Sequence, residues 1–180
     1  MLCLTLLLPV AANAQKFAVS TNVVDYVCLG TLNLEGSAAV AQHFTVTAGM
    51  RYNPWDFESH DPDMQVYNHM TSFSAGVRYW PWYVYSGWWA SLKGQYEEYG
   101  RTGIWRPALE EGKALGCVLS AGYSLMIGNH CNIELGVGGW AGKLTDYTLY
   151  CCPNCMDIRD EGPRGFVRSD DIYLSVSYIF

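Results

Sequence analysis

Two short stretches of this 180-residue chain carry residue types that could do chemistry. Cys152-Pro153-Asn154-Cys155 has the spacing of half a four-thiolate zinc site or of a short disulfide loop. The second cysteine pair that such a zinc site needs is absent, and Cys151 alone does not complete the set. A disulfide involving Cys152 and Cys155, a metal site and free thiols all stay open, and an oxidising exterior favours the disulfide. The segment from Asp56 to Asp63 gathers Asp56, Glu58, His60, Asp61 and Asp63, oxygen-rich chemistry suited to a calcium ion. Its spacing matches no calcium loop, so a solvated acidic loop is the simpler reading. Ser59, His60 and Asp61 supply the residue types of a hydrolytic triad. A working triad is assembled in space around an oriented base, which adjacency in sequence does not provide. No catalytic residue, resident metal or cofactor is expected.

A third set is dispersed: Glu35, Arg51, Arg78, Lys93, Glu97 and Glu134. Each lies in a stretch where apolar and polar residues alternate, and each falls on the polar parity. The clearest such stretch closes the chain, with Ile172, Leu174, Val176, Tyr178 and Phe180 on one face and Asp171, Tyr173, Ser175 and Ser177 on the other. Alternate side chains of a strand point to opposite faces, so these stretches read as strands with one apolar face. The aromatic ending, Tyr178 and Phe180, resembles the closing strand of outer-membrane barrels, which the barrel-assembly machinery reads.

Seven further strands precede it. They are expected over Lys16–Tyr26, Thr31–Val40, Phe44–Tyr52, Thr71–Tyr79, Trp88–Glu97, Leu115–Leu125 and Cys131–Gly138. Three long connections, after Asn53, over Gly100–Gly112 and over Lys143–Arg168, alternate with short ones, and Pro107–Glu111 suggests one helical turn. The aromatic turn Trp80–Gly87 has the composition of an interfacial girdle. Together these give an all-β, eight-stranded, antiparallel, up-and-down transmembrane β-barrel. With the apolar parity toward lipid, the six charged residues meet inside and pair. Inward Gly49, Gly76, Gly116, Gly122, Gly136 and Gly138 make room for them, and the interior is filled.

Composition agrees with that location. The chain is 50% hydrophobic, which excludes disorder, and only 16% charged. A net charge of -6 without a basic cluster excludes nucleic acid as a partner. Residues 1–14, apolar and ending Ala12-Asn13-Ala14, read as a signal peptide, leaving residues 15–180 as a single barrel domain. No later segment has the ~20 apolar residues of a membrane helix. Cys117 and Cys131 fall on the lipid-facing parity as small apolar residues, and Cys28 has no evident partner.

In order along the chain, Thr21-Asn22, Asn33-Leu34-Glu35, Tyr52-Asn53-Pro54-Trp55, Arg78-Tyr79-Trp80, Gly122-Tyr123-Ser124 and Cys152-Pro-Asn-Cys155 resemble small Bacteroidota outer-membrane barrels. That family is catalogued as domain of unknown function 3575. The additional Cys151 and the Gly162-Pro163-Arg164-Gly165 stretch depart from its pattern. The resemblance implies an outer-membrane location and this fold, but no activity. Members encoded near surface-fibre components imply an envelope or fimbrial role, through a surface partner. The expected function is therefore a non-enzymatic barrel acting through its outer loops. The alternatives are a barrel hydrolase at the outer mouth, tested at His60 or His69, and a soluble carrier of an apolar ligand, in which the facing would invert.

Overall fold

The computed structural model describes residues 17–27, 30–57, 66–103, 106–151 and 157–180. In chain order they form β1 (Phe17–Asn22), α1 (Val23–Val27), β2 (Leu32–Ala41), β3 (Phe44–Asn53), β4 (Asp56–Phe57) and β5 (Val66–Tyr79). There follow β6 (Gly87–Gly103), β7 (Arg106–Met126), β8 (Cys131–Tyr150), β9 (Ile158–Glu161) and β10 (Arg164–Ile179). Successive long strands pair antiparallel and β10 returns to pair with β1, so eight of them close an up-and-down barrel. The short β4 and β9 extend the wall beside β5 and β8. No helix among the described residues is long and apolar enough to cross a membrane, which leaves crossing by strands open.

The period of two is realised in side-chain burial. On β3, Thr45, Thr47 and Asn53 are buried while Phe44, Val46, Met50 and Tyr52 stand exposed. The exposed parity carries on around the barrel through Phe73, Leu92, Leu115, Leu135 and Leu174. At the end where the chain termini of the barrel meet, this apolar belt is rimmed by rings: Phe44 against Tyr79 at 5.2 Å, Trp88 against Tyr123 at 5.2 Å and Tyr178 against Phe180 at 4.9 Å. At the other end the outward row Tyr52, Thr71, Glu98, Lys113 and Asp146, paired strand to strand, turns polar.

Several boundaries differ from the sequence reading. Lys16–Tyr26 is not one strand: β1 stops at Asn22, whose side-chain oxygen accepts from the Val24 backbone N–H at 3.3 Å and caps the helical turn α1. The same amide oxygen accepts from the Leu174 N–H at 3.1 Å, and its nitrogen donates to the Ile172 carbonyl at 3.0 Å. Pro107–Glu111 makes no helical turn, and the described residues of Gly100–Gly112 are strand, the end of β6 and the start of β7. There the ladder of β6 to β7 continues to Thr102↔Leu109. Lys143–Arg168 is largely strand as well, the upper parts of β8 and β10. These stretches stay extended because each backbone finds a partner in the neighbouring strand, whatever the polarity of the side chains.

The aromatic turn also divides. Trp82 and Tyr83 are exposed, but Trp80, Tyr85 and Trp89 turn inward and, with Ala18, Tyr173 and Ile179, pack a floor across the barrel. Tyr85 holds a left-handed backbone, φ 65°, which swings its ring under the barrel, where its hydroxyl meets Ser37 Oγ at 3.2 Å. Burial pushes that hydroxyl above its ordinary pKa. The Tyr85 carbonyl accepts from Asn132 Nδ2 at 2.5 Å and from Ser124 Oγ at 3.3 Å. Inward Gly122 and Gly136 face each other across β7 and β8, and a Cβ on either would lie within 2.8 Å of the Trp89 ring.

Candidate functional site

Above the floor sits a compact charged layer. Glu35 on β2, Arg78 on β5, Lys93 on β6 and Glu134 on β8 are all on the inward parity of their strands. Arg78 Nη1 donates to Glu134 Oε2 at 2.7 Å and Nη2 donates to Glu35 Oε1 at 3.0 Å. The Lys93 ammonium donates to the other Glu35 oxygen. The guanidinium lies over the Trp89 ring, 4.3 Å from its centroid, and Lys93 Nζ lies 5.4 Å from the centroid of Tyr173. Two cations meet two anions in a layer whose members are at most one-fifth exposed. Buried charges persist only when matched in sign and hydrogen-bonded; here the signs match and each charged group is hydrogen-bonded, with the Arg78 Nε–H left without a partner among the described residues. With the aromatic floor beneath, this layer plugs the barrel.

Arg51 and Glu97 point inward too, but they belong to a second region. Arg51 on β3 pairs with Asp25 of α1 at 3.2 Å, and Gln95 Nε2 donates to buried Glu97 at 3.3 Å. These residues line the base of a cavity of about 250 Å³ at the far mouth, bounded further by Arg101, Trp140 and Arg168. Arg101 of β6 and Arg168 of β10 converge on one oxygen, Glu110 Oε1 of β7, at 3.9 and 3.5 Å. That oxygen also accepts from the Tyr99 hydroxyl at 3.0 Å. The wall around this mouth is uneven, because β6, β7 and β8 run far beyond the ends of β1, β2 and β3. Its inner face carries a second apolar cluster: Tyr99, Ala114, Val118, Trp140, Leu144 and Tyr147.

The six charges singled out from the sequence thus divide four and two. Asp25, Arg101, Glu110 and Arg168 were missed. Asp25 falls in a stretch that reads as strand and the other three in stretches that read as loops, and no alternation in those stretches marks them as wall. Tyr178 and Phe180 both stand outward on the apolar belt, and the Phe180 N–H closes on the Phe17 carbonyl at 2.8 Å. Cys117, Cys131 and Cys151 are exposed free thiols. Cys28, Cys152 and Cys155, the acidic segment from Glu58 to Asp63 with His60, and the signal peptide over 1–14 lie outside the described residues. His69 is within them, and its Nε2 lies 3.0 Å from the Pro54 carbonyl oxygen.

No curated protein and no solved structure matches the chain. A family model does, over residues 1–180, the whole of it. A closed barrel with a matched, sealed interior and an uneven charged mouth is accordingly what this sequence builds as a member of the family described as protein of unknown function (DUF3575), to which the chain belongs.

Proposed function

We propose that the chain is a non-enzymatic protein of the bacterial outer membrane. Its interior is sealed by side chains, and its tall β6–β8 wall faces outward as a surface for an envelope partner. One observation carries the reading: large apolar side chains are exposed all around the barrel while the charges face in. Phe44, Leu92, Leu119 and Val176 are each at least 40% exposed, whereas Arg78, Lys93 and Glu134 are buried. An apolar surface so extensive has no stable place in water, and lipid is its natural solvent. From Phe44 to Tyr52, at about 3.3 Å per residue and a ~40° tilt, the belt stands roughly 20 Å tall, close to the apolar band of known barrels.

Outer-membrane barrels keep their short turns on the periplasmic side, and in this reading Phe17, Phe180 and the short turns lie there. The β6–β7 hairpin then rises outside. The plug disfavours a pore, and inward charges disfavour a soluble carrier with an apolar lumen. The test is membrane fractionation with a gel comparing boiled and unboiled samples, for the full chain and for one lacking Phe180. The expected result is an outer-membrane protein that changes mobility on boiling and assembles poorly without Phe180. A soluble protein with no mobility change would overturn the reading. Retained hydrolysis of lipid and peptide substrates that is lost on His60→Ala or His69→Ala would instead favour a barrel enzyme.

A further inference from the structure

The cavity at the far mouth is built differently from the plug, and the difference points to a ligand. In the plug every charge is met at hydrogen-bond distance. In the vestibule Arg101 and Arg168 share one carboxylate oxygen at 3.9 and 3.5 Å, neither close enough for a direct hydrogen bond. A guanidinium carries five donors arranged to grip a carboxylate in pairs, so two guanidinia converging on one oxygen have capacity to spare. Trp140 is 4% exposed, and its indole N–H, like that of Trp89 in the floor, has no hydrogen-bond partner among the described residues; Trp140, though, borders a cavity that can admit an acceptor. Such a buried donor costs about 1–3 kcal/mol when it stays unsatisfied, and a bound acceptor would satisfy it.

The same cavity also presents acceptors, the carboxylates of Glu97 and Asp25 and the Gln95 amide oxygen. That mixture selects the ligand. A bare inorganic anion would satisfy the arginines but sit against two carboxylates. An uncharged sugar would leave two guanidinia desolvated without return. A simple amino acid offers acceptors only on its one carboxylate, which the arginines take, so the Trp140 indole N–H stays unmet. A single ring bearing one carboxylate and several hydroxyls meets all the groups at once, and about 250 Å³ holds one such ring.

We propose that the vestibule binds one acidic sugar, its carboxylate held by Arg101 and Arg168 and its hydroxyls by Gln95, Glu97 and the Trp140 indole N–H. Glu110 occupies part of the carboxylate position and competes with the ligand. The inference is independent of the membrane reading, because the site forms inside the barrel wall and can be tested in detergent.

The experiment titrates D-glucuronate into the refolded full chain by calorimetry, with D-glucose, L-glutamate and sulfate as comparisons. Saturable binding of glucuronate and none of the other three is expected. Arg168→Gln and Arg101→Gln should each weaken it about tenfold, the value of a charge-assisted pair, and Glu110→Gln should strengthen it. All three variants should keep the boiling-dependent mobility of the parent, which separates lost binding from lost folding. Absence of glucuronate binding, equal binding of sulfate, or preference for glutamate would each overturn the assignment. So would an Arg168→Gln protein that binds as well as the parent.

Discussion

The plug and the vestibule use the same side-chain chemistry to opposite ends. Arg78 and Lys93 are held within a closed set in which each charge has its partner, at 2.7 and 3.0 Å for the guanidinium. Arg101 and Arg168, one layer up, are held loosely, more than a fifth exposed, around a cavity. What separates them is room. Below, inward glycines bring strand backbones and the Trp89 ring together and leave only about 40 Å³ beside Glu35 and Lys93. Above, the strands β1, β2 and β3 have ended, and only part of the ring of the wall remains to fill the interior. Matched charge in a filled space makes a seal; similar charge in an open one makes a receptor surface.

The sharpest way to break this contrast is Arg78→Ala, which takes from buried Glu134 its cation and leaves Glu35 with Lys93 alone. Removing one partner of a buried network costs about 3–5 kcal/mol, so the folded, boiling-sensitive form should fall sharply in yield and unfold at much lower urea. A variant as stable as the parent would show that the layer is not sealed. Gly122→Val is next: it forces a side chain into the Trp89 ring and the β8 backbone. Overpacking costs about 1–3 kcal/mol where the neighbours can give way. Here a strand carbonyl stands in the way, so the low end of that range would argue against the observed packing.

Arg168→Gln should cost less than about 1 kcal/mol, as expected for a solvent-reached pair, with the urea midpoint nearly unmoved. Salt sharpens the same comparison, because at about 1 M the screening length falls to ~3 Å. Urea stability of the parent should change little with salt if the plug dominates, while glucuronate binding should weaken. The smallest effect belongs to the exposed pair Lys113 and Glu98, 3.4 Å apart on the outer face. Lys113→Ala should leave the unfolding midpoint indistinguishable from the parent.

The two regions also differed in how far the sequence disclosed them. The barrel proper was legible because each strand borders an apolar exterior and a polar interior, which imprints a period of two. Thr45, Thr47 and Asn53 against Phe44, Val46 and Met50 is that imprint on β3. The tall wall was not legible because both its faces meet mixed surroundings. Around Leu109, Glu110, Glu111 and Gly112 no alternation is enforced, and the ladder that keeps them extended is a property of the neighbouring strand. The floor was hidden for a different reason. Tyr85 reaches the floor through a left-handed turn, which residue types alone do not announce.

Asn22 has a consequence of a mechanical kind. Five residue pairs, from Ala18 to Asn22, join the first strand to the last, against thirteen between β8 and β10. The seam is therefore a short ladder, and the Asn22 amide lengthens it by standing in for the next strand residue at Ile172 and Leu174. A side chain acting as the final stitch fixes where the first and last strands stop sliding past one another. The barrel should open like a zipper from that stitch, and a chain that misses it would close in the wrong register, with every inward charge on the closing side displaced from its partner.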